Sequence, residues 1–418
     1  MRILLWHGYL LGGTGSNVYT RSLAREWARA GHDVTVLSQE PHPERYDLGG
    51  AAAARPDVGG FLPVFVLDRY EGFDDVRRLP DCTRDELERW VGANADAVRG
   101  LLPADLVFTN HVLLGGPVGV AAGAQFAVKA HGSELEYAMR GRAELSAWGG
   151  AALAAARATF VGSEHIRSVV ADVCGHTERV FEVPPGVDVD VWRPEARDVA
   201  RARLLDEARN DRPNPGNREE RIPDDANAER LEAFLAGDEP TIVYFGKLIE
   251  QKGVHVLVEA MQRVDARLVV VGFGPERGAL EGLAAANGVR VLFTGPLEHR
   301  HLRHLLAFAD ACVVPSIFPE AFGMVAAEAA AAGCPPIVAR HSGLAEVAAG
   351  LEAELPAHLA PLVSAPTGDA AALRERLEML LALPADDREA LRGTVRRAVE
   401  ARWSWAGIAQ RLLDLSGD

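Results

Sequence analysis

The chain has 418 residues, too many for one ordinary core and enough for two domains of about 150–200 residues each. Hydrophobic residues make up 48% and the formal net charge is −15, a balance that fits a globular chain and argues against wrapping a nucleic acid backbone or coating an anionic membrane. Four cysteines, Cys82, Cys174, Cys312 and Cys334, stand without C-x-x-C or metal-ligand spacing, which suits a reducing, cytoplasmic setting and supplies no metal cluster.

Residues 2–8, RILLWHG, predict a buried strand, and the run is too short for a signal-peptide core or a membrane span. A Gly-rich loop follows at 10–17, where Gly12, Gly13 and Gly15 allow a ligand to approach the backbone. A helix from Val18 then carries apolar Leu23, Ala24, Trp27 and Ala28 and stops at Gly31; with a strand at 33–38 this makes a βαβ unit of a doubly wound sheet, its loop at the carboxyl end of the first strand. The loop does not spell G-x-G-x-x-G, the dinucleotide fingerprint. Residues 41–60, rich in Pro, Gly and Ala without a period, read as a surface loop. Strands follow at 63–68, at 105–111 and within 126–134, the last ending on His131-Gly132, with a polar stretch and a helix at 83–99 between the first two. His131 lies at the exit of the third, where it is either a satisfied structural residue or a site group. Lys129, on the same side of that strand, either shares the cleft or pairs with an acid, and Glu134 is a further candidate. Ser163 predicts the N-cap of a helix to Val173. A strand at 179–183 runs into Pro184-Pro185-Gly186 and ends the first domain; Asp188 and Asp190, which copy an Asp-x-Asp metal motif, follow that turn and read as hinge capping.

Residues 195–238 are dense in charge and Pro, with helical patterns at 199–208 and 228–235, and read as a charged, partly flexible insertion. The strand TIVYF then delivers Gly246-Lys247, and Lys252-Gly253 opens a helix bearing Val254, Leu257, Val258 and Met261. Two ammonium groups bracketing one loop beside a helix N-terminus are what a diphosphate leaving group requires. Lys129, Lys247 and Lys252 are the only lysines among 44 basic Lys and Arg residues; a compact ammonium that reaches phosphate is one reason for a lysine to stay there, and chance is the other. Gly272-x-Gly274 follows the strand at 267–271, but the next strand, 289–295, ends without the acid that a nicotinamide nucleotide's ribose would need. A helix at 298–308 and the strand ACVV lead into PSIFPEAFGMVAAEAAAAGCPPIVARHSGLAEV, residues 315–347. Its Ala-rich run predicts a helix starting near Phe322 or Gly323, whose first amides form an anion seat. Glu320 precedes that seat and Glu328 lies two turns in; eight residues rotate a helix by roughly 800°, so the acids point apart and two separate jobs fit better than a paired acid and base. On these residues alone a buried helix with two surface acids remains the other reading. Helices at 369–383 and 388–401 and a terminal helix at 403–415 close the chain.

The Glu-x7-Glu stretch, with Phe-Gly after the first acid and Glu-Ala at the second, joined to Gly246-Lys247 and Lys252-Gly253, resembles the signature of the retaining GT-B glycosyltransferases of group 1, family 4. The likeness covers the chain outside 195–238. It implies an α/β GT-B fold of two Rossmann-like doubly wound domains facing across a cleft, 1–186 and 187–402, with 403–418 crossing back to the first. The implied activity moves a sugar from a nucleotide diphosphate-sugar, UDP first and GDP second, to an acceptor hydroxyl with retention and without metal or cofactor. The leaving phosphate would help to deprotonate the incoming hydroxyl. In this picture Glu320 lies beside the donor sugar, His131 lies over it, and Lys247 and Lys252 stabilise the diphosphate. Lys247 stands where the family more often has Arg, keeping the charge but giving up the bidentate fork. Gly13, Gly15, Gly246, Gly272 and Gly274 become donor-facing backbone, and Phe293 and Thr294 the seat of the base. Phe322, Gly323, Met324 and Val325 hold the diphosphate, Glu328 the ribose, and 341–347 forms a loop below the donor. The missing basic amphipathic surface favours a small soluble metabolite or glycoside as acceptor. A sugar-nucleotide epimerase, a dehydrogenase and a non-catalytic sugar-nucleotide sensor are the rival readings.

Overall fold

A computed structural model describes residues 1–65, 70 and 72–417. They divide into two compact units, Met1–Gly186 with Trp405–Asp418, and Val187–Ser404.

The first unit is built on β1 (Arg2–Trp6), whose Ile3, Leu4, Leu5 and Trp6 have no exposed surface. In chain order there follow α1 (Gly15–Arg29), β2 (Asp33–Leu37), β3 (Ala52–Ala54), β4 (Phe61–Val64), β5 (Asp75–Arg78), α2 (Arg84–Gly100), β6 (Leu106–Asn110), α3 (Gly115–Ala122), β7 (Phe126–Lys129), α4 (Ala143–Ala155), β8 (Ala158–Val161), α5 (Glu164–Cys174) and β9 (Val180–Glu182). The main sheet runs β3-β2-β1-β6-β7-β8-β9, with β4 and β5 paired apart from it. Ile3 faces Val34 on one side and Leu106 on the other, all parallel, so the strand order reverses between β1 and β6. That reversal opens a crevice at the carboxyl ends of the two strands. Thr83 caps α2 with a full capping box, and Ser163 caps α5 by accepting from Ile166 N. The terminal helix, Trp405–Gly417, lies on α1, where Trp27 Nε1 donates to Ala409 O at 3.0 Å and the Trp405 and Tyr19 rings meet edge to face. A side chain at Gly186 would reach within 2.4 Å of the Trp405 ring, so only glycine lets the chain pass beneath it.

The second unit repeats the plan: α6 (Arg197–Arg209), α7 (Asn227–Phe234), β10 (Thr241–Phe245), α8 (Val254–Ala260), β11 (Arg267–Val271), α9 (Arg277–Ala286), β12 (Val291–Phe293), α10 (His299–Phe308), β13 (Ala311–Val314), α11 (Met324–Ala331), β14 (Pro336–Ala339), α12 (Ser342–Glu352), β15 (Ser364–Ala365), α13 (Ala370–Leu381) and α14 (Ala385–Trp403). Its parallel sheet runs β12-β11-β10-β13-β14-β15, reversing between β10 and β13. Each of these strands is a nearly unbroken apolar run because helices cover both faces.

Four expectations change. Residues 41–60 contain β3, an edge strand of three alanines that carries no alternating pattern because it is mostly exposed. The first helix starts at Gly15, inside the expected Gly-rich loop, with Thr14 in the N-cap position. The strand expected at 63–68 is seen as β4 to Val64, while 66–68 lie outside the described residues, and its partner β5 comes from the stretch read as merely polar. Residues 195–238 are no loose insertion: Ala200, Leu204 and Ala208 form a buried stripe at i, i+4, i+8 in the second unit's core, with Leu231 of α7 beside it. The outer face of α6 is mostly charged, with Asp198, Arg203, Asp206 and Arg209 exposed beside Val199 and Ala202, and Arg300 of α10 clasps Glu207 and Asp211 from below. Charge density hid the stripe.

Candidate active site

Glycines and backbone hydrogen bonds assemble the carboxyl edge of the second sheet. Gly246 N donates to Val271 O at 3.0 Å and Leu248 N to Phe273 O at 2.8 Å, lacing the loop after β10 to the loop after β11. A Cβ at Gly272 would stand 1.8 Å from Gly246 O, and one at Gly274 2.3 Å from Leu248 O, so the lacing requires both glycines. On the other side a Cβ at Gly253 would stand 2.1 Å from Pro315 O, and Ile317 N donates to Gln251 O at 3.0 Å. The second contact brings Lys252 to Glu320. Lys252 Nζ lies 2.5 Å from Glu320 Oε1, and Ser316 Oγ donates to the same oxygen at 2.6 Å. Lys247 is exposed and its ammonium has no ion-pair partner among the described residues; its carbonyl accepts from Tyr244 Oη at 2.8 Å.

Past Glu320 the chain turns at Gly323, φ +127°, where a Cβ would meet Leu344 at 2.7 Å. Met324 and Val325 then open α11 with no side-chain cap and no acid in the first turn, which leaves the positive end of the helix unanswered. Phe322 is buried edge to face against Trp403 and holds the turn from below. Glu328 is half-buried; its carboxyl group has no hydrogen-bond or ion-pair partner among the described residues, and burial pushes it up to about 8. The two acids therefore sit in different environments, one ion-paired and one dehydrated. Phe293 and Thr294 are buried. The Thr294 hydroxyl donates to Gly295 O, and its carbonyl accepts from Asp224 N and Asn227 Nδ2, so its polar atoms are engaged within the unit rather than offered to a base.

In the first unit, Gly13 and Gly15 have open space where a side chain would lie, Gly13 at φ +92° and Gly15 opening α1. At the switch point His131 Nε2 donates to Asn110 Oδ1 at 2.7 Å, while Asn110 Nδ2 donates to Trp6 O. The His111 ring lies 4.7 Å from that of His131 and 5.7 Å from that of His7, whose Nε2 donates to Asn17 Oδ1 at 2.7 Å. Burial, with the neighbouring imidazoles, lowers His7 to about 3 and holds His131 well below the ordinary histidine range, so both rings are neutral. His131 alone of the three is partly exposed. Glu134, fully buried, accepts from His131 N, Val112 N and His111 Nδ1; burial would raise its carboxyl, but these partners outweigh it and bring it below its ordinary value. It is an organiser of the cluster rather than an exposed acid. Lys129 makes no ion pair among the described residues: its Nζ donates to Val183 O at 2.6 Å over the Tyr19 ring, and burial lowers it to about 7.

Sequence reading did not single out His7, Asn110 and His111, whose only signal was their place at strand exits, or Ser316, four residues before Glu320; His341 and Ser342, expected only as part of a loop below the donor, reach the Glu320 segment through tertiary contacts. Among the described residues no group of three or more His, Cys, Asp or Glu could hold a metal ion, and no helix is long and apolar enough to cross a membrane.

Two Rossmann-like units in one chain, the second with lysines and a helix terminus at its switch point, define the GT-B fold. Solved structures agree: sucrose-phosphate synthase of Thermosynechococcus elongatus is 24% identical with a TM-score of 0.64, covering 99% of this chain and 98% of that one. Anabaena HepE in complex with UDP is 14% identical with a TM-score of 0.70, covering 99% of both. These likenesses speak to the fold. The model for glycosyl transferases group 1 matches residues 225–397, and that for glycosyltransferase family 4 matches residues 13–191. The chain belongs to the group 1, family 4 glycosyltransferases. Among curated relatives, a D-inositol 3-phosphate glycosyltransferase of Xylanimonas cellulosilytica is 37% identical over 178 residues, 41% of this chain and 37% of that protein. A GDP-mannose-dependent α-(1-6)-phosphatidylinositol monomannoside mannosyltransferase of Mycobacterium tuberculosis is 32% identical over 201 residues, 45% of each. The chain thus spans less than half the length of these two relatives.

Proposed function

We propose that this protein transfers a sugar from a nucleoside diphosphate-sugar to an acceptor hydroxyl with retention of anomeric configuration. The observation that carries the reading is the meeting of Lys252, Glu320 and the uncapped start of α11 at the switch point of the second sheet, with Lys247 exposed on the adjoining loop. Lys247, Lys252 and the amides of Met324 and Val325 would hold the diphosphate and stabilise the charge that develops as it leaves. Glu320 would stand beside the transferred sugar, and Gly246, Gly272 and Gly274 would provide close-approach backbone. Glu328, its carboxyl partly dehydrated and without a partner among the described residues, suits the ribose hydroxyls. His131 would contact the sugar as a neutral hydrogen-bonding ring. With the charge met by ammonium groups and amides, the reaction needs no metal, and the leaving phosphate would take the acceptor's proton on the face where the new bond forms.

The donor nucleotide is UDP or GDP: Anabaena HepE is solved with UDP, and the mycobacterial relative is named for GDP-mannose. The acceptor is a small hydroxylated metabolite or glycoside, in keeping with the uncharged imidazole and amide groups at the first unit's switch point. A thermal-shift panel of nucleoside diphosphates, followed by incubation of the stabilising nucleotide's sugars with polyol acceptors, tests the reading. The expected result is a glycoside with the donor's anomeric configuration. A converted sugar nucleotide formed from donor alone would indicate an epimerase instead, and stabilisation without any turnover a sensor.

A further inference from the structure

Three consecutive residues at the start of α12 take hold of Glu320. Its N–H donates to Ser342 Oγ at 2.9 Å and its carbonyl accepts from Gly343 N at 3.0 Å, so both main-chain groups are held. His341 Nε2 lies 2.7 Å from Ser316 O, and Ser316 Oγ in turn donates to Glu320 Oε1. A carbonyl can only accept, so in the neutral ring Nε2 carries the hydrogen and Nδ1 takes the hydrogen of the Ser342 hydroxyl, 3.0 Å away. The circuit closes on Glu320. Its backbone is strained where the hydroxyl sits: Ser342 adopts φ +46°, a region that disfavours residues with a side chain. Its fit is also tight, because a Cβ at Gly343 would stand 2.5 Å from Phe322 Cα. Beyond the circuit, the Glu320 carboxylate holds the Lys252 ammonium.

We propose that His341 and Ser342 are positioning residues for the transfer reaction: acting through Ser316 and Glu320, they keep the Lys252 ammonium where an arriving diphosphate will meet it. The proposal rests on the reading of this site as a donor seat. The carboxylate is the partner of the Lys252 ammonium, and donor binding exchanges that anion for the diphosphate. Without the brace the carboxylate turns away and the ammonium follows it. Strain at Ser342 is the cost of placing a hydroxyl at that point, where a glycine would relax the backbone but leave the Glu320 N–H unheld.

The chain's three lysines make the test direct, since carbon-13 lysine labelling gives three side-chain signals. Glu320→Gln marks where the Lys252 signal falls once its ion pair is gone. Ser342→Gly removes the hydroxyl while relieving the positive φ, so its melting temperature should equal or exceed that of the wild type. The expected result is a Lys252 signal moved at least halfway toward the Glu320→Gln position, with Lys129 and Lys247 unmoved. His341→Gln, which keeps a donor for Ser316 O but offers Ser342 no ring nitrogen, should move the signal in the same direction. With a working donor, kcat of Ser342→Gly should fall about tenfold or more, as a displaced site group dictates, with a smaller change in KM. An unmoved Lys252 signal in both folded variants, or wild-type kcat in Ser342→Gly, overturns the proposal. The lysine spectrum requires no turnover, so a brace that passes this test in a protein inactive on every nucleotide sugar would count against the transfer reading alone.

Discussion

Raising the pH from about 5 to about 9 should weaken the second unit through one carboxyl group, and Glu328→Gln isolates that group. Burial lifts Glu328 from 4.5 to about 8. Below the lower value the group is protonated in the folded and the unfolded chain alike and does not affect the balance. Between the two values the unfolded chain releases a proton that the folded chain keeps, so stability falls as pH rises through the window and levels off above about 8. Taken in full, the displacement corresponds to about 5 kcal/mol. Glu328 keeps some contact with solvent, and screening brings the expected effect to about 2 kcal/mol. For a unit of this size that is a Tm difference of about 4–8 °C. The assay is thermal unfolding of wild type and Glu328→Gln across the pH range. The variant, neutral throughout, should match wild type near pH 5 and lead it by the stated margin near pH 9. Parallel curves over the whole range would refute the dehydration of Glu328 and, with it, the argument that this carboxyl awaits a ligand.

Lys252→Ala and Glu320→Ala should each lower kcat/KM by about 10²–10³ while leaving the unfolding transition in place, because under the proposed function each removes a group that acts on the reacting atoms; wild-type rates in both would dispose of the site. Leu204→Ala should destabilise the protein by about 2–5 kcal/mol, read by urea unfolding, since this α6 side chain is wholly buried in the second unit's core. An unchanged midpoint would restore the view of 195–238 as a charged, partly flexible insertion. Gly272→Ala should cost about 1–3 kcal/mol by overpacking and weaken nucleoside diphosphate binding measured by calorimetry, because the new methyl would displace Gly246 O, 1.8 Å away, and with it the loop carrying Lys247.

Several features could be read from the chain alone because each is local. Strands such as β1 and β13 are unbroken apolar runs, Thr83 and Ser163 cap the helices that follow them, and Glu320, Gly323 and Glu328 lie on one strand-loop-helix segment whose spacing sets their directions. The two lysines lie on one loop and its adjoining turn, as their spacing required; the anion seat they would form belongs to the proposed function. Tertiary structure decided the rest. Lys129 looked like a site cation, yet its environment comes from Val183 and Tyr19, far away in sequence, which only the packed sheet brings beneath it. The stripe on α6 became core because α10 lies under it. Ser316 and His341 are 25 residues apart and meet because β13 and β14 are adjacent parallel strands whose carboxyl ends release their loops side by side. Spacing along a chain fixes which side chains share a face of one element, whereas burial and the pairing of polar groups depend on which elements pack together, and no local pattern carries that information.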